Sequence, residues 1–248
     1  MLEAAAVLST HSHVHAPSTI HVACCTWNVG NCAPDEANMG AWLVENCKPG
    51  ADLYAVGVQE ANYRLGSAAS SCAEHMLQLI KRTVGDVELV KQARGASDAC
   101  AREPSPLLPK LPPPHPHPPL STALQASMGQ IHLFVFCTPK LRPYISAVEV
   151  DTEATGIAGV GVNKGGTAIS LYVCSTAVCF VNAHLAAHQE KTPQRNAHVL
   201  EIQRFLKVGR STPAEARLDL SNRFGHLFFF GDLNYRIELK REEVLWRR

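Results

Sequence analysis

A chain of 248 residues with 46% hydrophobic content can bury a substantial core, in one large domain or two small ones. Its formal net charge of +1 excludes a general polyanion binder, because no surplus of Lys and Arg is available to neutralise a nucleic-acid backbone. No apolar run reaches the ~18–20 residues that cross a bilayer, and the start MLEAAAVLST, with Glu3 and no basic residue, makes a poor secretory signal.

Residues 1–19 alternate His11, His13 and His15 in a Ser/Thr/Pro context with no carboxylate or thiol nearby, so they read as a disordered tail rather than a metal site. From Ile20 the pattern switches between strand and helix. IHVACCTWN is a strand that ends in polar residues. DEANMGAWLVENC is a helix, with Met39, Trp42, Leu43 and Cys47 on one side and acids in its first turn. DLYAVGVQE is a second strand with a polar end, and AASSCAEHMLQLIKRTV is a helix that buries Met76, Leu77 and Ile80.

Residues 102–119 hold nine of the sixteen prolines. Each proline fixes φ and removes a backbone donor, so this stretch reads as an exposed, disordered insertion between strands. It is either a passive loop or a docking segment for an SH3 or WW partner. Beyond it, IHLFVFCTP and RPYISAVEV are strands, and GGTAISLYVC and TAVCFVNAHL form a hairpin. KTPQRNAHVLEIQRFLKVG is a helix with Val199, Ile202, Phe205 and Leu206 inward and Gly209 as its stop; HLFFFGDLN is a buried strand; IELKREEVLWRR is a polar helical start. Hairpins among helix-flanked strands indicate an α+β sandwich. The nine cysteines form no C-x-x-C pair or zinc-type spacing and are expected as buried, reduced thiols of a cytoplasmic protein. On a strand, adjacent Cys24 and Cys25 face opposite sides, so at most one of them enters the core.

Four strands end in polar residues: Trp27-Asn28, Gln59-Glu60, Asn182-x-His184 and Asp232-x-Asn234. Strands of one sheet deliver their ends to a common rim, which here would gather two carboxylates, several amides and an imidazole. Hard oxygen ligands with few thiolates suit Mg²⁺. GIAGVGVNKGG (156–166) carries five glycines and Lys164 but lacks the Lys-Ser/Thr pair of a P-loop. It is a glycine-rich turn, or a place where backbone and Lys164 approach a phosphate.

Taken in order, TWNVG (26–30), VGVQE (56–60), DTEATGIAGVGVNKGGTAIS (151–170), VNAHLAAHQEKTPQRN (181–196) and FFFGDLNYR (228–236) resemble the successive motifs of inositol polyphosphate 5-phosphatases. These belong to the endonuclease/exonuclease/phosphatase (DNase I-like) superfamily. The resemblance implies a four-layer sandwich of two mixed β-sheets flanked by helices, spread over a partial catalytic domain at 20–248. It also implies Mg²⁺-dependent removal of a 5-phosphate from phosphoinositides or soluble inositol polyphosphates, with peripheral membrane contact through the substrate and no nucleic-acid partner.

Residue by residue, the resemblance makes Glu60 the direct metal ligand, with Asn28 as ligand or orienter beside it. Asp232 would orient and help deprotonate the attacking water, Asn234 would hold nucleophile or phosphoryl oxygen, and His184 would donate to the scissile phosphate. Lys164, Arg195, Tyr235 and Arg236 would grip phosphates, although a buried ion pair is a rival role for Arg236; His188 would hydrogen-bond a site residue or, in preference, serve as a satisfied structural histidine. The family's distal Trp-Cys-Asp-Arg and Ser-Asp-His elements do not occur in this sequence. Little or no turnover is therefore expected of the chain as written, and the fold is expected to be C-terminally incomplete. The alternatives are a catalytically inactive binding module and a related Mg²⁺-dependent nuclease or sphingomyelinase. Tyr235-Arg236 and the near-neutral charge speak against the last two.

Overall fold

The computed structural model describes residues 17, 19–46, 51–63, 71–84, 88–90, 125–155, 163–210, 212–237, 239 and 243. Most of the expected tail, the proline-rich insertion at 102–119 and nearly all of the expected final helix lie outside these residues.

Two sheets form the middle of the molecule. In the first, β1 (Val22–Asn28) runs parallel to β2 (Leu53–Gln59), and β2 pairs antiparallel with β5 (Ile131–Cys137). The short β3 (Glu88–Leu89) and β4 (Gln125–Met128) also pair with β5. In the second, β6 (Ile145–Ala154), β7 (Gly165–Val173) and β8 (Thr176–His184) run antiparallel, and β9 (His226–Asp232) lies parallel to β8. Both sheets are therefore mixed.

Strand alternation sorts the core into three layers. Leu53, Ala55, Leu133 and Val135 from the first sheet meet Ile169, Leu171, Val178 and Phe180 from the second. The opposite face of the first sheet (Tyr54, Val56, Phe134, Phe136) packs on α1 (Glu36–Asn46) and α2 (Cys72–Val84) through Met39, Leu43, Met76 and Ile80. The opposite face of the second (Ala168, Cys179, Val181, Ala183) packs on α3 (Thr192–Phe205) and the single-turn α4 (Leu220–Arg223) through Ile202 and Leu220. Helices, sheet, sheet, helices: the four layers expected from the motifs are present.

Four local expectations need correction. The inward face of α3 is Arg195, His198 and Ile202, with Val199 at its margin, whereas Phe205 is 48% exposed. Ile202 and Leu206, four residues apart, stack on the inward side, while Phe205 is the last residue of the helix and is left half-exposed at its end. The helix ends at Phe205, so Gly209 (φ +69°) serves the following turn and not the helix stop. Strand β9 is half-buried at six of its seven positions rather than buried, because its outer edge has no strand beside it among the described residues. Cys25 is buried and Cys24 exposed, as alternation requires, but Cys25 is disulfide-bonded. Disulfides are rare in reducing compartments, so Cys25 breaks the all-reduced expectation. Cys24, Cys32, Cys72, Cys137, Cys174 and Cys179 are free. No described helix is long and apolar enough to cross a membrane.

Candidate active site

The pleat decides which side chains reach one end of the inter-sheet layer. Alternate residues of a strand share a face. The faces that carry Val22, Leu53, Phe180 and Phe228 into the layer continue, every second residue, into Thr26 and Asn28 on β1, and into Gly57 and Gln59 on β2. On β8 and β9 the same step leads to Asn182 and His184, and to Phe230 and Asp232. Apolar packing thus gives way to polar side chains at the same end of all four strands.

Register then assembles the site. Asn28 pairs with Gln59, one residue short of Glu60. His184 pairs with Asp232 on one side and with Gly165, the residue after Lys164, on the other. The Asn28 amide bridges the two carboxylates: Nδ2 donates to Glu60 Oε1 at 3.0 Å and to Asp232 Oδ2 at 2.9 Å. Its Oδ1 accepts from the Gly30 amide at 3.0 Å. His184 Nε2 lies 3.4 Å from Asp232 Oδ2, 3.7 Å from Glu60 Oε1 and 2.5 Å from Lys164 Nζ. The imidazole is sealed at 1% exposure, whereas the Glu60 and Asp232 side chains keep 33% and 27% open to solvent. The other imidazole nitrogen, Nδ1, is buried with no hydrogen-bond partner, so the ring's polar contacts all lie on the carboxylate side.

Two site residues take backbone conformations that favour glycine. Glu60 has φ +54° and Asn234 φ +55°. Such non-glycine residues cost of order 1–3 kcal/mol and persist where surrounding structure holds them, commonly at functional sites. The Glu60 carbonyl is held by the Asn31 amide at 2.8 Å. Asn234 is held twice, by its amide to Asp232 Oδ1 at 3.2 Å and by its Nδ2 to the Leu185 carbonyl at 3.1 Å.

The hydrogen bond with His184 holds the Asp232 carboxyl far below the usual carboxylate range, assisted by Asn28 and the Asn234 amide and opposed by burial. A general base works best with a pKa near the working pH. Asp232 held ionised in this way is suited to accepting hydrogen bonds and orienting a water. Burial pushes the Lys164 ammonium down, while Asp232 and Glu60 pull it back up.

The expected phosphate grips divide. Lys164 stands in the site. Arg195 does not: it is fully buried, and its guanidinium donates to the Ala186, His188 and Gln189 carbonyls and to Thr192 Oγ1. These four bonds tie it into the turn between β8 and α3, although its Nε is buried without a partner. Tyr235 covers Arg195 with its ring 5.3 Å away and donates from its hydroxyl to Asn196 Oδ1 at 2.5 Å, tying the segment after β9 to α3. Arg236 is exposed and donates to Asn234 Oδ1 at 2.6 Å, so the buried ion pair considered for it is not formed. The His188 side chain is exposed, and only its carbonyl serves the structure.

The profile of endonuclease/exonuclease/phosphatase family 2 matches residues 25–246. The chain belongs to this family. Phosphatidylinositol 3,4,5-trisphosphate 5-phosphatase 2 of Mus musculus is 32% identical over 238 residues, 95% of this chain and 16% of that protein. Phosphatidylinositol 3,4,5-trisphosphate 5-phosphatase 1 of Homo sapiens is 27% identical over 235 residues, covering 94% and 17%. The chain therefore spans less than a fifth of the length of these curated relatives. The inositol polyphosphate 5-phosphatase domain of spsynaptojanin, crystallised with inositol (1,4)-bisphosphate and calcium ion, superposes with a TM-score of 0.63 at 24% identity over 91% of this chain and 56% of that one. The fold and the 5-phosphatase resemblance read from the motifs are both borne out.

Two residues counted at the rim from sequence are not there. Gln59 and Asn182 are fully buried, one pleat beneath the carboxylates. Their position is legible from alternation, since Asn182 shares a face with His184; their contact with each other is not.

Proposed function

We propose that this chain supplies the ion-binding and phosphate-orienting face of a Mg²⁺-dependent phosphomonoesterase that removes the 5-phosphate from phosphoinositides or soluble inositol polyphosphates. The observation that carries this reading is the pair of half-open carboxylates, Glu60 and Asp232, joined by Asn28 and backed by Lys164 and His184.

The donor set fits the ion. Mg²⁺ takes one or two carboxylates, keeps several waters and shares the rest of its shell with substrate phosphate. Among the described residues no cage of three or more His, Cys, Asp or Glu side chains forms, and the two carboxylates face solvent. Glu60 would hold the ion, with Asn28 fixing its carboxylate. A divalent ion supplies neutralisation of charge on phosphoryl oxygens. The chain's own groups supply the remainder. Asp232 accepts from a water and aligns it; Lys164 donates toward phosphate oxygens, and buried His184 holds Lys164 and Asp232 in place through Nε2; Asn234 fixes the Asp232 turn and Arg236 stands exposed beside it. The head-group class is supported by the names of the relatives, and the ion–inositol phosphate pair by the spsynaptojanin complex. Membrane contact would then be peripheral, through the lipid head group.

Calorimetric titration with Mn²⁺ and with a soluble inositol polyphosphate tests the reading. Mn²⁺ binding that is lost in Glu60→Gln supports it; wild-type binding in both Glu60→Gln and Asp232→Asn overturns it. Phosphate release by the chain alone is expected to be weak or absent, because the two distal family elements do not occur in its sequence. Strong Mg²⁺-dependent release abolished by Asp232→Ala would overturn that expectation while strengthening the enzymatic reading. A binding module without turnover is the second reading, favoured by the half-exposed aromatic strand β9.

A further inference from the structure

The polar residues beneath the site form a closed set that the proposed chemistry does not use. Asn182 and Gln59 are both fully buried between the sheets. Gln59 Nε2 donates to Asn182 Oδ1 at 2.6 Å and to Thr26 Oγ1 at 3.0 Å. Asn182 Nδ2 donates in turn to the His132 carbonyl at 2.9 Å and the Val58 carbonyl at 3.3 Å. Both amide nitrogens thus spend both hydrogens, and neither side chain leaves a buried polar atom unpartnered. The set joins β1, β2 and β5 of the first sheet to β8 of the second.

Space for this contact is cut into the opposite strand. A Cβ added at Gly57 would lie 2.6 Å from Asn182 Cγ and 2.9 Å from Phe230 Cε2, so the Asn182 amide lies against a stretch of β2 that only glycine leaves bare. Apolar residues fill the rest of the layer, and apolar contacts slide with little directional preference. A satisfied hydrogen-bonded amide pair between sheets has one alignment, and losing it strands buried polar groups at ~1–3 kcal/mol each.

The pair sits where alignment has consequences. Gln59 immediately precedes Glu60, and Asn182 lies two residues before His184, which is paired with Asp232. Yet Glu60 and Asp232 come from different sheets and meet only through side chains, the Asn28 amide and the His184 ring.

We propose that Gln59 and Asn182 are positioning residues: an inter-sheet latch that sets the spacing of the Glu60 carboxylate against the His184–Asp232 pair, and so the geometry of the ion site. This rests on the reading of Glu60 and Asp232 as that site. Gly57 is part of the device, since it admits the amide. The latch residues are buried beneath the site and would act through the strand ends.

The test compares Asn182→Ala, Gln59→Met and Gly57→Ala with Ile169→Ala, a cavity in the same layer but outside the latch. The ion-free readout is the NMR resonances of the Glu60 amide and the His184 ring. The latch predicts that all three latch variants move these resonances, while Ile169→Ala, though less stable, leaves them in place. Unmoved resonances in Gln59→Met, which keeps the side-chain shape, overturn the latch even if Asn182→Ala fails to fold. So do equal movements in Ile169→Ala. The second readout is Mn²⁺ affinity, expected to fall ~10-fold or more in the latch variants, the scale seen for groups that orient metal ligands, and to stay within about twofold in Ile169→Ala. If Glu60→Gln and Asp232→Asn both bind Mn²⁺ normally, the ion-site reading fails and the resonances alone decide the latch.

Discussion

Strands β2 and β9 carry the same sequence device, an apolar run that ends in a carboxylate, yet their settings are opposite. Strand β2 lies between β1 and β5 and is buried at every position from Leu53 to Gln59. Strand β9 pairs with β8 alone among the described residues, and His226 is exposed while Leu227 through Asp232 are half-buried. The site therefore joins one carboxylate on a sealed mount to another on an open edge. An aromatic run does not make a strand central; its neighbours do. An unpaired edge of this kind is also where another strand can add.

The largest expected effect breaks the comparison by identical chemistry at the two strands. Leu53→Ala, at a site with no exposure, is expected to cost ~3 kcal/mol by urea unfolding, and Leu227→Ala on half-buried β9 ~1 kcal/mol. Equal costs would mean that β9 is as well covered as β2. Next comes the ion. Glu60→Gln should weaken Mn²⁺ binding ~100-fold, and Asp232→Asn ~10-fold, because Asp232 is already engaged by Asn28, the Asn234 amide and His184. Titration calorimetry at pH 7 gives both values, and the reverse order would exchange the two roles.

A smaller effect is pH-dependent and belongs to the β5 side of β2. Burial lowers the pKa of His132 from its ordinary 6.5, and its Nε2 has no partner. The unfolded chain takes up a proton near pH 6.5 that the folded chain refuses, so His132 makes stability fall as pH drops below that point. Urea midpoints at pH 7.5 and 5.5 should differ more in the wild type than in His132→Gln. The smallest effect is at the exposed end of β9. Tyr235→Phe removes the bond to Asn196 and should cost about 0.5 kcal/mol or less, since water replaces the lost partner.

Much of this was legible in one dimension. Asn28, Glu60, His184, Asp232 and Lys164 stand where motif order and strand endings put them, because side-chain alternation is a local rule. Arg195 was misread for a physical reason. The motif resemblance offered it as a phosphate grip, and only the turn between β8 and α3 reveals four oxygen acceptors waiting for a guanidinium. The short strands β3 and β4 escaped notice because two and four residues carry too little periodicity to show.

By itself the sequence determined the order of the longer strands and helices, the face most strand residues take and the polar ends that make a site, since these follow from periods of 2 and 3.6 residues. The tertiary structure alone decided which polar ends meet the solvent and which lock the sheets together. It also decided which of two similar strands is sealed and which is open. Those outcomes depend on register and neighbours far apart in the chain, and no local period encodes them.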